Sequence, residues 1–156
     1  MPTITVHQYF SDDHRRLDGL MQSFQSEKRR YFAKAKEAFR EFFRGLRRHI
    51  VWEEELLFPL FEKLSGVGSG GPTEVMRAEH RGISDALDEL HEKVRRADAE
   101  CDGEVERLRE LLSAHNRKEE DVLYPMFDDA VGEEERTRMF ERMREIPPQR
   151  YARCCA

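Results

Sequence analysis

Cysteine is scarce in this chain: three in 156 residues, at Cys101, Cys154 and Cys155. An odd count with two adjacent members near the C-terminus excludes a disulfide framework. We expect a reduced tail at "RCCA". A redox- or metal-responsive tail, able to link two chains, is the alternative, because exposed thiols are the ones oxidants reach. Positive charge is not in excess either. A net charge of −5 provides no basic field for nucleic acid. No apolar run approaches the roughly 20 residues of a membrane span, so no membrane partner is expected. The opening "MPTITVHQYFSDDH" lacks a basic segment followed by an apolar one, and a cytoplasmic protein is expected. Glycine and proline are few, nine and six, and most stand between segments. No stretch alternates like a strand. What is abundant is charge and apolar surface together, 38% each. That balance fits one helical domain over 1–156 with sharply divided faces.

Helical punctuation is regular. Thr5 with Gln8 three residues on forms a capping box that opens a helix over about 5–26. A second helix spans about 28–64, with Phe32, Ala35, Phe39, Phe42, Phe43, Leu46, Ile50, Leu57, Leu60 and Phe61 on its apolar stripe. "SGVGSGG" is the clearest linker, and Pro72 suits the first position of a third helix, which runs to about 100. Asp102 in "CDG" reads as the N-cap of a fourth helix ending near 130. Gly132 separates it from a short helix over about 133–145, stopped by Pro147 and Pro148. The expected fold is all-α: an up-down-up-down four-helix bundle over about 5–130, built from two pseudo-symmetric helical hairpins, with a C-terminal helix and tail over 131–156. Pro59 and Pro125 fall inside helices and predict symmetric kinks.

The chain writes one phrase twice. "HIVWEEELLFPLF" starts at His49 and "HNRKEEDVLYPMF" at His115, 66 residues later. His14 and His80 are separated by the same 66. On a helix the fourth residue returns to within about 40° of the same face. His49 therefore stacks with Glu53, and His115 with Glu119, whereas Glu54 and Glu120 lie about 140° away. Leu56 and Leu60 continue the first face, Val122 and Met126 the second. Carboxylates on apolar faces are costly unless paired or metal-bound. Imidazole and carboxylate donors suit iron, manganese, zinc or copper. Six are too many for one tetrahedral zinc. Divided by the two-fold, they provide two histidines per metal and two shared carboxylates.

"DDHRRLD", "RHIVWEEELLFP", "VMRAEHRGI" and "AHNRKEEDVLYP", in that order, resemble the four signature segments of the hemerythrin-like family, the HHE cation-binding domains. The resemblance covers roughly residues 5–130. It implies a non-haem di-iron centre, oxo- or hydroxo-bridged when oxidised, with two iron ions per chain in preference to manganese or zinc. The implied metal ligands are His14, His49, Glu53, His80, His115 and Glu119, with Glu53 and Glu119 bridging. The oxygen-carrying members have an extra histidine one turn before the third-helix ligand and an aspartate five residues after the fourth-helix histidine. Here those places hold Met76 and Glu120. The chain thus resembles the intracellular branch associated with iron, O2, peroxide or nitric oxide more than an oxygen carrier. The expected function is binding or sensing of O2 or another small oxidant. Turnover of peroxide or nitric oxide, or donation of iron for repair, is the alternative.

Residues around these six carry further expectations. Asp18, one turn after His14, is placed to hold its second ring nitrogen. His7 could add a ligand or line an entrance, and His91 reads as a solvated residue near a helix end. Tyr9 and Tyr124 are candidate donors to a bound oxidant. On a straight helix, however, Tyr124 points away from His115 and reads as packing. Gly45 leaves either a path for a diatomic molecule or a close helix crossing. Val51 points about 200° from His49, so its face needs a cover, either the C-terminal segment or a second chain in a homodimer.

Overall fold

The computed structural model describes residues 3–152. Cys154 and Cys155 lie outside them. The described residues are helical throughout, with no strand among them. Helix α1 spans Val6–Glu27 and α2 spans Phe32–Trp52. After α2 the backbone widens into a π turn, Glu53–Leu57, and continues as α3, Phe58–Ser65. Helix α4 is Pro72–Arg95 and α5 is Asp102–Lys118. A second π turn, Glu119–Leu123, leads into α6, Tyr124–Ala130. Helix α7, Glu133–Glu145, follows. Helix α1 packs most extensively on α2, and α4 on α5, so two helical hairpins are present. No helix among the described residues is long and apolar enough to cross a membrane.

The ends follow local chemistry. Thr5 Oγ1 accepts the Gln8 backbone N–H at 3.1 Å and the Gln8 side chain accepts the Thr5 N–H at 3.1 Å, the expected capping box. Asp128, from α6, accepts the backbone N–H groups of Val6 and His7 at 2.9 and 3.0 Å. This carboxylate meets the positive end of α1 and ties the end of one hairpin to the start of the other. Two ends differ from expectation. Helix α4 stops at Arg95, because Ala97 adopts the left-handed conformation at φ 55°. Its N–H then bonds Val94 and that of Asp98 bonds Lys93, the arrangement that closes a helix end. Asp102 is the first residue of α5 rather than its cap. Its carboxylate is taken by Lys28, whose side chain is fully buried, and by Arg29 at 2.9 Å.

A π turn stands ahead of each of the two prolines. Pro59 and Pro125 have no N–H, and their rings crowd the carbonyl four residues back. Widening the turn relieves both problems. The Phe58 N–H reaches Glu53 and the Tyr124 N–H reaches Glu119, each five residues back. The turn absorbs one residue, so the inward face changes. Val122 and Met126, expected inside, are 49% and 39% exposed, whereas Leu123, Tyr124 and Phe127 are buried.

The apolar interior is divided into two clusters. Leu17, Phe39, Leu46, Ile83 and Leu112 belong to one; Phe10, Trp52, Met76, Leu123 and Tyr124 belong to the other. Each site histidine stands where its helix passes from one cluster to the other: His14 between Phe10 and Leu17, His49 between Leu46 and Trp52, His80 between Met76 and Ile83, His115 between Leu112 and Leu123. Gly45 marks a close crossing, not a path. A Cβ there would lie 2.7 Å from the Leu17 side chain. Helix α7 supplies a cover from within the chain for the face beside Val51. Trp52 and Leu56 pack in one cluster with its Met139, Phe140 and Met143, and Phe140 lies 5.0 Å from the Tyr9 ring. Phe140→Ala should therefore cost about 3 kcal/mol in denaturant unfolding. A change below about 0.5 kcal/mol would mean α7 is not part of the cooperative core.

Candidate metal centre

Helices α1, α2, α4 and α5 and the two π turns bring six side chains together, none more than 5% exposed. The His14 and His49 Nε2 atoms are 3.2 Å apart. His80 Nε2 lies 3.2 Å from Glu53 Oε1, and His115 Nε2 lies 3.2 Å from Glu119 Oε1. Glu119 Oε1 is also 3.3 Å from His14 Nε2. Two donor groups result, each compact enough for one cation: Glu53, His80, His115 and Glu119 in the first; His14, His49 and Glu119 in the second. All six expected residues are thus brought together.

What orients the rings is a circuit of carboxylates. Asp13 on α1 sits 2.9 Å from His49 Nδ1 on α2. Glu54, past the end of α2, sits 2.7 Å from His80 Nδ1 on α4. Glu79 on α4 sits 2.9 Å from His115 Nδ1 on α5. Glu120, past the end of α5, sits 3.2 Å from His14 Nδ1 on α1 and closes the circuit. The pairs repeat at the 66-residue offset, Asp13 with Glu79 and Glu54 with Glu120. Asp18, expected to hold His14, does not; Glu120 does. Glu54 and Glu120 point away from the histidine of their own helix and serve that of the next. Their signal was the acid that follows each repeat's inner glutamate.

Tyr124 is the other residue that straight-helix geometry misplaces. The absorbed residue in the π turn brings it to about 80° from His115 instead of 180°. It is fully buried. Its hydroxyl lies 2.7 Å from Glu53 Oε2, 3.0 Å from Glu119 Oε1, and 3.3 Å from the Nε2 atoms of His14 and His49. Burial, reinforced by the charges of Glu119 and Glu53, pushes its ionisation well above the usual phenol value. The repeat mate, Phe58, stacks on His80 with ring centres 5.7 Å apart. Tyr9 packs between Trp52 and Phe140, outside the site. His7 is exposed. His91 is not freely solvated: its ring lies 4.6 Å from that of Phe43, and burial lowers its pKa.

A cation fits this donor set. A neutral imidazole that donates Nδ1–H to a carboxylate turns a lone pair out at Nε2. Four such lone pairs face two carboxylates here. Glu53 Oε1, Glu119 Oε2 and His80 Nε2 are buried with no hydrogen-bond partner, a costly arrangement unless an ion meets them. Without metal, protons take that role. Burial lowers the His49 pKa, but the Glu53 charge and the Asp13 hydrogen bond outweigh it and raise the value to about 10. Burial likewise opposes, and the Glu53 and Glu54 carboxylates beside the ring overcome, a rise at His80 to about 9. Glu53 is driven the other way: burial opposes ionisation, yet the His49 charge holds it well below the carboxylate range. Beside the rings lies a cavity of about 10 Å³ bounded by the four histidines and by Leu17, Leu46, Ile83 and Leu112. That is room for about one water molecule. A groove of about 420 Å³ between α1 and α5 shares His14, Asp18 and Asn116 with it.

A helical protein with a buried histidine–carboxylate cation site is the class these features define. The family model of the hemerythrin HHE cation binding domain matches residues 5–127, and the chain belongs to that family. No curated protein and no solved structure gives a significant match.

Two outcomes check the site. In the metal-free protein the raised His49 value contributes stability that is fully present below pH 6.5 and lost as pH rises through about 10. The depressed Glu53 value contributes above pH 4.5 and is lost in acid. Melting temperature should then be highest between those ordinary values and fall in alkali. The loaded protein should instead lose metal and stability as pH falls. An alkaline rise in the metal-free protein would contradict the proton assignment. Secondly, Asp13→Ala or Glu79→Ala should weaken metal affinity about 10–100-fold in chelator competition. Unchanged affinity would make the circuit a bystander.

Proposed function

We propose that the chain holds two iron ions, one at His14 and His49 and one at His80 and His115, with Glu53 and Glu119 shared between them, and that the centre binds or senses O2 or another small oxidant such as peroxide or nitric oxide. The observation that carries this is the convergence of four Nε2 lone pairs and two carboxylates into two adjacent donor groups with Glu119 in both. Such ions, when bound, supply redox chemistry at coordination positions the protein leaves free. The protein's own part is orientation and exclusion. The carboxylate circuit fixes each ring, and Leu17, Leu46, Ile83 and Leu112 keep bulk water from the cavity. A cavity of about 10 Å³ is water-sized and too small for an organic substrate. We read the four long helical stretches as an up-down-up-down bundle, because the hairpins and the circuit order them α1, α2, α4, α5 around one axis. A cytoplasmic setting without nucleic-acid or membrane partners, with a homodimer as the assembly to look for, completes the proposal.

The test is an optical titration. The anaerobic protein is loaded with Fe(II), checked for about two irons per chain, given a measured pulse of O2 and then degassed. A spectrum that appears and reverses supports binding or sensing. A one-way change to a diferric species points to turnover of peroxide or nitric oxide. Uptake unchanged in His49→Ala or Glu119→Ala would remove the assigned centre altogether.

A further inference from the structure

Four histidines and two glutamates account for the expected donors, but a seventh oxygen stands among them. Tyr124 Oη has four polar atoms within 3.3 Å: a carboxylate oxygen of Glu53, one of Glu119, and the Nε2 atoms of His14 and His49. A phenol has one proton to donate. Donation to Glu53 at 2.7 Å and acceptance from one imidazole N–H account for two of these contacts. Glu119 Oε1 and the other Nε2 stand beside the same oxygen. A cation held at His14 and His49 would meet that oxygen as one more donor. The placement is also one-sided. The Tyr124 ring stacks on His14 with centres 5.8 Å apart, and it has no contact of this kind with His80 or His115. In the other repeat the same position is Phe58, which brings a ring to His80 and no donor.

We propose that Tyr124 Oη is a direct ligand of the ion held by His14 and His49. The inference rests on the metal-site reading above. On loading, the O–H bond breaks, the proton leaves to solvent, and the oxygen lone pair bonds the ion. The two positions are then unequal. The His14/His49 ion has a phenolate oxygen beside its imidazoles and shared carboxylates. The His80/His115 ion has only two imidazoles and two carboxylates, so it keeps the open position and is where a small oxidant attaches. Tyr124 thereby sets which ion reacts.

The test uses the full chain and iron alone. The protein is loaded anaerobically with Fe(II), its iron content measured, and the centre oxidised with ferricyanide. Expected is a visible phenolate-to-iron charge-transfer band whose Raman excitation enhances tyrosine ring modes. The band should vanish in Tyr124→Phe at the same iron content. Should that variant fail to fold, the other three tyrosines decide: Tyr9→Phe/Tyr31→Phe/Tyr151→Phe should keep the full band. Loaded wild-type protein without a band, a band that survives Tyr124→Phe, or one lost from the triple variant overturns the assignment while leaving the metal site standing. Failure of the wild type to take up iron overturns both.

Discussion

Everything at the centre depends on where four protons sit. Each site histidine has a carboxylate at Nδ1, between 2.7 and 3.2 Å away. That contact favours the Nδ1–H tautomer, so a neutral ring turns its Nε2 lone pair inward. Reversing one ring would turn an N–H into the centre and leave a buried carboxylate facing a lone pair. The four contacts run from helix to helix in a closed order, and therefore also brace the bundle. A polar layer between two apolar clusters is costly unless every member is partnered. Here the outer half is partnered by protein, and the inner half is left for a cation. The same arrangement that positions the donors makes the metal-free layer a strained compromise, with protons taken up by imidazoles that burial alone would keep neutral.

The prolines show how a local constraint becomes a functional one. Pro59 and Pro125 cannot donate to the helix, and the backbone widens by one residue ahead of each. The change is small in the backbone and large in angle. It removes Val122 and Met126 from the interior and brings in Leu123 and Tyr124. A hydroxyl reaches both shared carboxylates only because a proline stands next to it in sequence. In the first repeat the same turn brings Phe58 inward. Identical backbones thus deliver different chemistry to the two halves.

Much of this could be read from the amino-acid order, and the limits have physical causes. The helices, the linker at 65–71 and the six inner donors follow from a 3.6-residue period and a 66-residue repeat, both local or self-referential. Glu54 and Glu120 were set aside because their angle was measured against the histidine of their own helix. Their partners are on the neighbouring helix, and no intrahelical rule reports which helix that is. Tyr124 was misplaced because a straight-helix wheel has no term for a π turn. Asp102 reads as a cap, yet a buried lysine from α1 claims its carboxylate, and Ala97 takes a left-handed position usually given to glycine. Each miss is a tertiary contact or a backbone irregularity overriding a local preference.

The repeat is least symmetric where symmetry would be chemically neutral to break and most symmetric where it would not. His14 and His80, His49 and His115, Glu53 and Glu119, and the four outer acids match in pairs, and the first six of these are the members of the two donor groups. Around them the halves diverge. Helix α7 covers Leu56 and Leu60 in the first repeat, whereas their mates Val122 and Met126 stay exposed. Ile50, apolar beside the cavity, is matched by Asn116, which it shares with the polar groove along α1. Phe58 is matched by Tyr124. A pseudo-symmetric centre wrapped in unequal surroundings has one half closed by packing and one half beside a polar groove.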